Sequence, residues 1–233
     1  MQIAFFAVCI TAFAASLMTF FSGFGLGTLL APVMMLFLPV EVAIAMTGIV
    51  HFFNNIFKLT LTGKHADRYT LIRFGIPAVA AASIGAWVLG GLHNMPPLTE
   101  YMLMGHRFSV TPVKSVISAL LIFFALVDLL PSFSNINFGR KSLVIGGALS
   151  GFFGGLSGNQ GALRSAFLIK SGLSKEAFIG TGVVVSALVD LTRTGIYASR
   201  FSSAGMTEHL GLTTAATVCA IGGAFLGNRL LKK

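Results

Sequence analysis

The chain has 233 residues, 55% of them hydrophobic and 10% charged, with a mean hydropathy of +0.87. A soluble domain covers itself with about 25% charged residues, so an ordinary wetted exterior is excluded, as are intrinsic disorder, a disulfide scaffold and a secreted enzyme. The net charge of +9 comes from 16 Lys+Arg against 7 Asp+Glu. These cations lie mostly between apolar blocks, where they set orientation and meet anionic lipid rather than nucleic acid. The composition is that of an all-α polytopic membrane protein.

A spanning helix needs about 20 apolar residues. Seven blocks qualify, at 3–38, 41–62, 70–92, 112–130, 142–172, 175–198 and 205–231. The first has no Lys or Arg ahead of its apolar run and reads as a retained span rather than a signal peptide. Cys9 and Cys219, inside apolar stretches, read as packing residues. The first and fifth blocks are too long for single crossings: 3–38 as one helix would run about 54 Å against a core of about 30 Å. Each contains a glycine-rich interruption, SGFGLGT at 22–28 and GGLSGNQGA at 154–162. Each block therefore reads as a full helix, a break and a half-helix, an arrangement tolerated at membrane depth only where protein or a watery cavity satisfies the freed backbone.

Sliding the chain by 134 positions lays Gly27 on Gly161, Ala43 on Ala177, Thr47 on Thr181, Gly48 on Gly182, Thr60 on Thr194 and Ala81 on Ala215. The breaks coincide as well, so the chain reads as two related repeats, 1–112 and 142–233, joined by a linking span and loop at 113–141. Charge orients them. With single crossings the connectors split Lys/Arg 7 against 8; if each long block goes in and comes back, the split is 11 against 4, leaving out Arg164. The positive-inside rule selects the second scheme, with the N-terminus outside, the C-terminus cytoplasmic and the repeats inverted.

A glycine-rich break in an apolar block, a half-helix, a Pro or Gly turn and a span opening with A-x-x-x-T-G occur twice, the second time in GFFGGLSGNQGALRSAFLIKSGLSKEAFIGTGVVVSALVDLTR. This pattern resembles the TauE/SafE family of sulfite and organosulfonate exporters of bacterial inner membranes, over nearly the whole chain. The resemblance implies export of a small sulfur-containing anion with no bound cofactor, and the proton as coupling ion.

Ionisable residues inside spans are costly and each needs a reason. Arg164 follows the second break by three residues, on the expected first turn of the half-helix. Free N–H groups, the helix dipole and a planar donor fork there suit an oxyanion; the alternatives are snorkelling or pairing with Asp190. Asn159, Gln160, Gly161 and Ser165 surround the same break, and Ser22, Gly23, Gly25, Gly27 and Thr28 form the matching one. Their polar groups either ligate an oxyanion or satisfy interrupted backbone. Ser186, Asp190 and Arg193 share one helical face in the sixth block. Asp190 and Arg193 form an ion pair, or Asp190 titrates and couples proton entry to anion exit. His51, Asn54, Asn55 and Lys58 share a face in the second. His51 either relays protons or bridges helices, while Lys58, near the span end, is expected to snorkel. Glu41 and Asp128 sit at span termini and need no functional role.

No HExxH, CxxC, GxSxG or P-loop occurs, so no enzyme and no metal site is indicated. The expected function is a secondary transporter exporting a small sulfur anion, with Arg164, the break residues, Asn54 and Asn55 at the substrate and Asp190, Arg193 and His51 in coupling. The alternatives are a passive anion channel, an importer, or an intramembrane enzyme or accessory subunit. Membrane lipid is the other partner; a homo-oligomer is left open.

Overall fold

The computed structural model describes residues 2–22, 26–129, 140–169, 171–201 and 206–231. The apolar blocks become the helices α1 (Gln2–Ser22), α2 (Leu26–Met35), α3 (Val40–Thr62), α4 (Arg68–His93), α5 (Pro112–Leu129), α6 (Leu143–Ser157), α7 (Gly161–Leu168), α8 (Lys175–Phe201) and α9 (Leu210–Leu231). Five of them, α1, α3, α4, α8 and α9, are long and apolar enough to cross a membrane. Their outer faces carry bare Ile3, Phe6, Ile10, Ile84, Trp87, Leu191 and Val218, as lipid-facing helices do. The protein is a multi-pass, all-α membrane protein.

Both long blocks break near the expected residues. Gly158 stops α6 because it adopts φ +81°, a left-handed conformation that glycine takes without strain, and its N–H caps the Gly154 carbonyl at 3.0 Å. The half-helix α7 starts at Gly161. In the first block α1 ends at Ser22 and α2 begins at Leu26; Gly23 and Gly25 lie outside the described residues. The second block departs from expectation in one respect. Its leading helix, α6, has 15 residues, about 22 Å of rise against a core of about 30 Å. The 93–112 connector also holds a feature that hydropathy does not signal, an antiparallel hairpin of Thr99–Leu103 with His106–Val110, closed by Met104 and Gly105 at positive φ.

Small residues set the packing. Gly147, Gly151 and Gly155 of α6 lie against the backbone of Phe74, Ala78 and Ala82 of α4. Without a hydrophobic drive between helices in lipid, close backbone approach over such glycines is what holds a pair together. Both partners advance four residues at a time, so α4 and α6 run parallel. On the other flank, Cys9 neighbours Cys219, and Gly223 abuts the Phe13 backbone, so α1 and α9 are parallel too. In the centre α3 meets α8 with Gly48 by Thr194, His51 by Asp190 and Thr62 by Gly180. One number rises as the other falls, and the pair is antiparallel. Thus α1 packs on α9 and α4 on α6, on either side of the α3–α8 crossing.

Candidate functional site

The central crossing is where the polar residues are buried. His51 occupies the middle of α3, and Asp190 lies opposite on α8. Asp190 and Arg193 are both 0% exposed. Asp190 Oδ1 accepts from Arg193 Nε at 2.9 Å and from Gln160 Nε2 at 3.3 Å. Its Oδ2 accepts from Asn55 Nδ2 at 2.8 Å and contacts His51 Nδ1. Every neighbour at both oxygens is a donor or can be one, which suits an acceptor-only carboxylate. The carboxylate therefore ties together α3, the second break and α8.

The Arg193 guanidinium fits there because two glycines leave room. A Cβ on Gly158 would lie 2.7 Å from Arg193 Nη1, and one on Gly48 would lie 3.5 Å from its Cζ. Tyr197, one turn further on, donates its hydroxyl to the Gly155 carbonyl that α6 leaves free near its end. The two breaks meet at the same place: a Cβ on Gly27 of α2 would come 3.0 Å from the Gly158 carbonyl oxygen.

Several buried polar atoms around this point have no hydrogen-bond partner within the described chain. They are Asn159 Nδ2 and Oδ1, Asn54 Nδ2, Gln160 Oε1, Thr194 Oγ1 and Arg193 Nη1, whereas Arg193 Nη2 lies 2.9 Å from Asp190 Oδ1 in the ion pair. Buried polar groups are nearly always satisfied, and most of this set can donate. Ser16 on α1 donates to Asn54 Oδ1 at 3.0 Å, leaving the Asn54 amide nitrogen open.

Arg164, on the first turn of α7, is 9% exposed and donates from Nη1 to Ser186 Oγ on α8. It thus sits one tier away from Arg193, nearer the α8 N-terminus. Gly182 leaves room for it, since a Cβ there would lie 3.4 Å from Arg164 Nε. Lys58 departs from expectation. It does not snorkel but is 5% exposed, with Nζ bonded to Thr19 Oγ1 of α1 and the Arg164 guanidinium within electrostatic reach. The helical face it shares with His51 and Asn55 points at α1 and α8, so its stem cannot reach the lipid interface. Gly161 is buried at the start of α7; Ser165 and Thr28 are half-buried one residue beyond Arg164 and Gly27; Ser22 closes α1.

The structure therefore brings His51, Asn54, Asn55, Asn159, Gln160, Arg164, Asp190 and Arg193 to one locus between the breaks. Sequence reasoning missed Ser16, Thr19 and Tyr197. The only signals for them were the i,i+3 spacing of Ser16 and Thr19 on an apolar helix and the position of Tyr197 four residues past Arg193. Asp190 is the buried acid of this set, beside the buried basic residues Arg164, Arg193 and Lys58. No group of three or more His, Cys, Asp or Glu that could hold a metal ion occurs among the described residues.

No curated protein and no solved structure matches the chain. A family model does, over residues 8–233. The buried cationic cluster between two broken helices is thus set in a chain that belongs to the sulfite exporter TauE/SafE family of membrane transporters.

Proposed function

We propose that the protein exports sulfite or a closely related sulfur oxyanion across the bacterial inner membrane, coupled to protons, by exposing the central site alternately to each face. The observation that carries this reading is the gathering of buried Arg164 and Arg193 around the α3–α8 crossing, beside Asn159 and Asn54 amide donors that have no hydrogen-bond partner among the described residues. Buried charge is costly unless compensated. A small oxyanion supplies the missing acceptors, and the guanidinium fork matches a pair of its oxygens. Arg164, Gln160 and the free amides at the α7 N-terminus add to the same field. His51 and Asp190 are assigned to proton coupling, since their contact joins the two crossing helices and Asp190 also holds Arg193.

The repeats are taken as inverted. The antiparallel α3–α8 crossing and the exchanged α1–α9 and α4–α6 pairs are what a two-fold axis in the membrane plane would produce. The charge rule then places Lys64 and Lys141 in the cytoplasm and Arg107 and Lys114 outside. Single cysteines at these positions are expected to label accordingly with an impermeant maleimide on intact cells, only positions 107 and 114 reacting. Labelling of 64 and 141 on opposite faces defeats the inversion.

In proteoliposomes of the purified chain, radiolabelled sulfite flux is expected to exceed that of empty vesicles and to respond to an imposed pH gradient. Flux that ignores the gradient and never accumulates sulfite identifies a channel instead. Absence of sulfite flux under any gradient removes the substrate assignment.

A further inference from the structure

We propose that a phospholipid carrying both a phosphate and a primary ammonium, of the phosphatidylethanolamine kind, binds in a cavity between the ends of α3, α8 and α9. The site is separate from the central crossing and does not depend on which ion that crossing carries. Lys175, on its rim, precedes Asp190 by 15 residues on α8, about 22 Å along the axis.

The cavity measures about 220 Å³. It lies where three apolar spans, Val40–His65, Lys175–Ala198 and Leu210–Leu231, run out, which is the level of headgroups rather than of the hydrocarbon core. Its frame is tightly packed. A Cβ on Gly180 of α8 would come 2.6 Å from the Thr62 carbonyl oxygen at the end of α3, and the Asp67 N–H donates to Thr181 Oγ1 at 2.8 Å. The hollow beside this contact is therefore preformed. Pockets for drug-sized ligands run to about 300–1,000 Å³, so this one admits a headgroup and the root of a chain.

The lining names the ligand. Leu61, Ile179 and Leu231 form an apolar wall, suited to the first methylenes of an acyl chain. Asn228 also lines the cavity, is 8% exposed and makes no hydrogen bond within the described residues. Buried amides are nearly always satisfied, so the ligand has to bring an acceptor. The rim carries both signs. Lys175 and Glu176 stand side by side on the first turn of α8, and the Glu176 carboxylate is within electrostatic reach of Lys175 and His65. A simple anion would be drawn to Lys175 and repelled by Glu176. A zwitterion is held by both: its phosphate accepts from Lys175 and from the Asn228 amide, and its ammonium donates to Glu176. Phosphatidylcholine has the same phosphate but no N–H to donate, and phosphatidylglycerol has no cation.

The test titrates the delipidated full chain in detergent with lipids of matched acyl chains and counts bound lipid by native mass spectrometry. Phosphatidylethanolamine is expected to bind about tenfold tighter than phosphatidylcholine or phosphatidylglycerol, the worth of one charge-assisted hydrogen bond. Glu176→Gln is expected to erase its advantage over phosphatidylcholine while leaving phosphatidylcholine binding unchanged. Lys175→Met weakens both lipids about tenfold, and Lys175→Arg retains them. Lys175 and Glu176 are exposed, so these variants keep the fold, which thermal unfolding checks. Free phosphoethanolamine is expected to leave the bound lipid in place. Its displacement of the lipid would assign the cavity to a small polar ligand and overturn the lipid. Equal binding of the three lipids, or a preference that survives both Glu176→Gln and Lys175→Met, overturns the site.

Discussion

Replacing Arg193 with methionine is expected to lower sulfite flux by more than about 100-fold, the scale on which a preorganised donor to a charged ligand matters. It is also expected to cost about 3–5 kcal/mol of stability, because Asp190 is then left buried with only neutral donors and His51. The two losses have different origins and can be separated. In the double variant Asp190→Asn, Arg193→Gln both charges go together, so most of the thermal stability returns, as it does when buried ion pairs are replaced whole. Flux does not return, since glutamine at 193 offers the anion neither a charge nor a guanidinium fork. Thermal unfolding and proteoliposome flux on the same preparations check both statements. A single variant that still transports at the wild-type rate removes Arg193 from the substrate path.

The spans and the second break were legible because lipid imposes length and hydropathy on helices and because glycine at a left-handed φ ends one. Gly158 is the clearest case, with φ +81° in the middle of the expected interruption. Clustering of Asp190 with Arg193 was legible from their spacing, and the His51 face from its neighbours Asn54, Asn55 and Lys58. What was not legible is which face meets which. Lys58 looked like a snorkelling residue because its distance from the helix end was visible and the direction of its side chain was not. The role of Thr19 depends on α1 packing beside α3, a tertiary fact with no local signature. The seat of Arg193 was hidden for the same reason, since Gly48 and Gly158, which make it, are far apart in sequence.

The stretches that the 134-residue offset aligns differ in the chemistry they carry. At the 134-residue offset, Arg164 corresponds to Leu30, Asp190 to Ile56, Arg193 to Leu59 and His51 to Val185. Glycines and threonines recur at that offset, as at Gly27 and Gly161 or Thr47 and Thr181, and these charges do not.

Gly158→Ala probes the point where both breaks and Arg193 meet. A left-handed alanine costs about 1–2 kcal/mol by itself. Gly105, at φ +79° in the hairpin turn with nothing within 4 Å of a Cβ, isolates that cost. Gly105→Ala is therefore expected to lower stability by about 1–2 kcal/mol and to leave sulfite flux unaltered. At Gly158 the same strain is joined by a Cβ that would sit 2.7 Å from Arg193 Nη1. Either the guanidinium shifts and gives up its 2.9 Å bond to Asp190, or the break moves and takes Asn159 and Gln160 with it. Both routes displace donors assigned to the anion, and displacement of about 1 Å at such a site is enough for a 100-fold loss. Flux is thus expected to fall by more than about tenfold beyond anything the shared backbone strain explains. Equal behaviour of the two alanine variants would mean that Gly158 serves only to turn the chain.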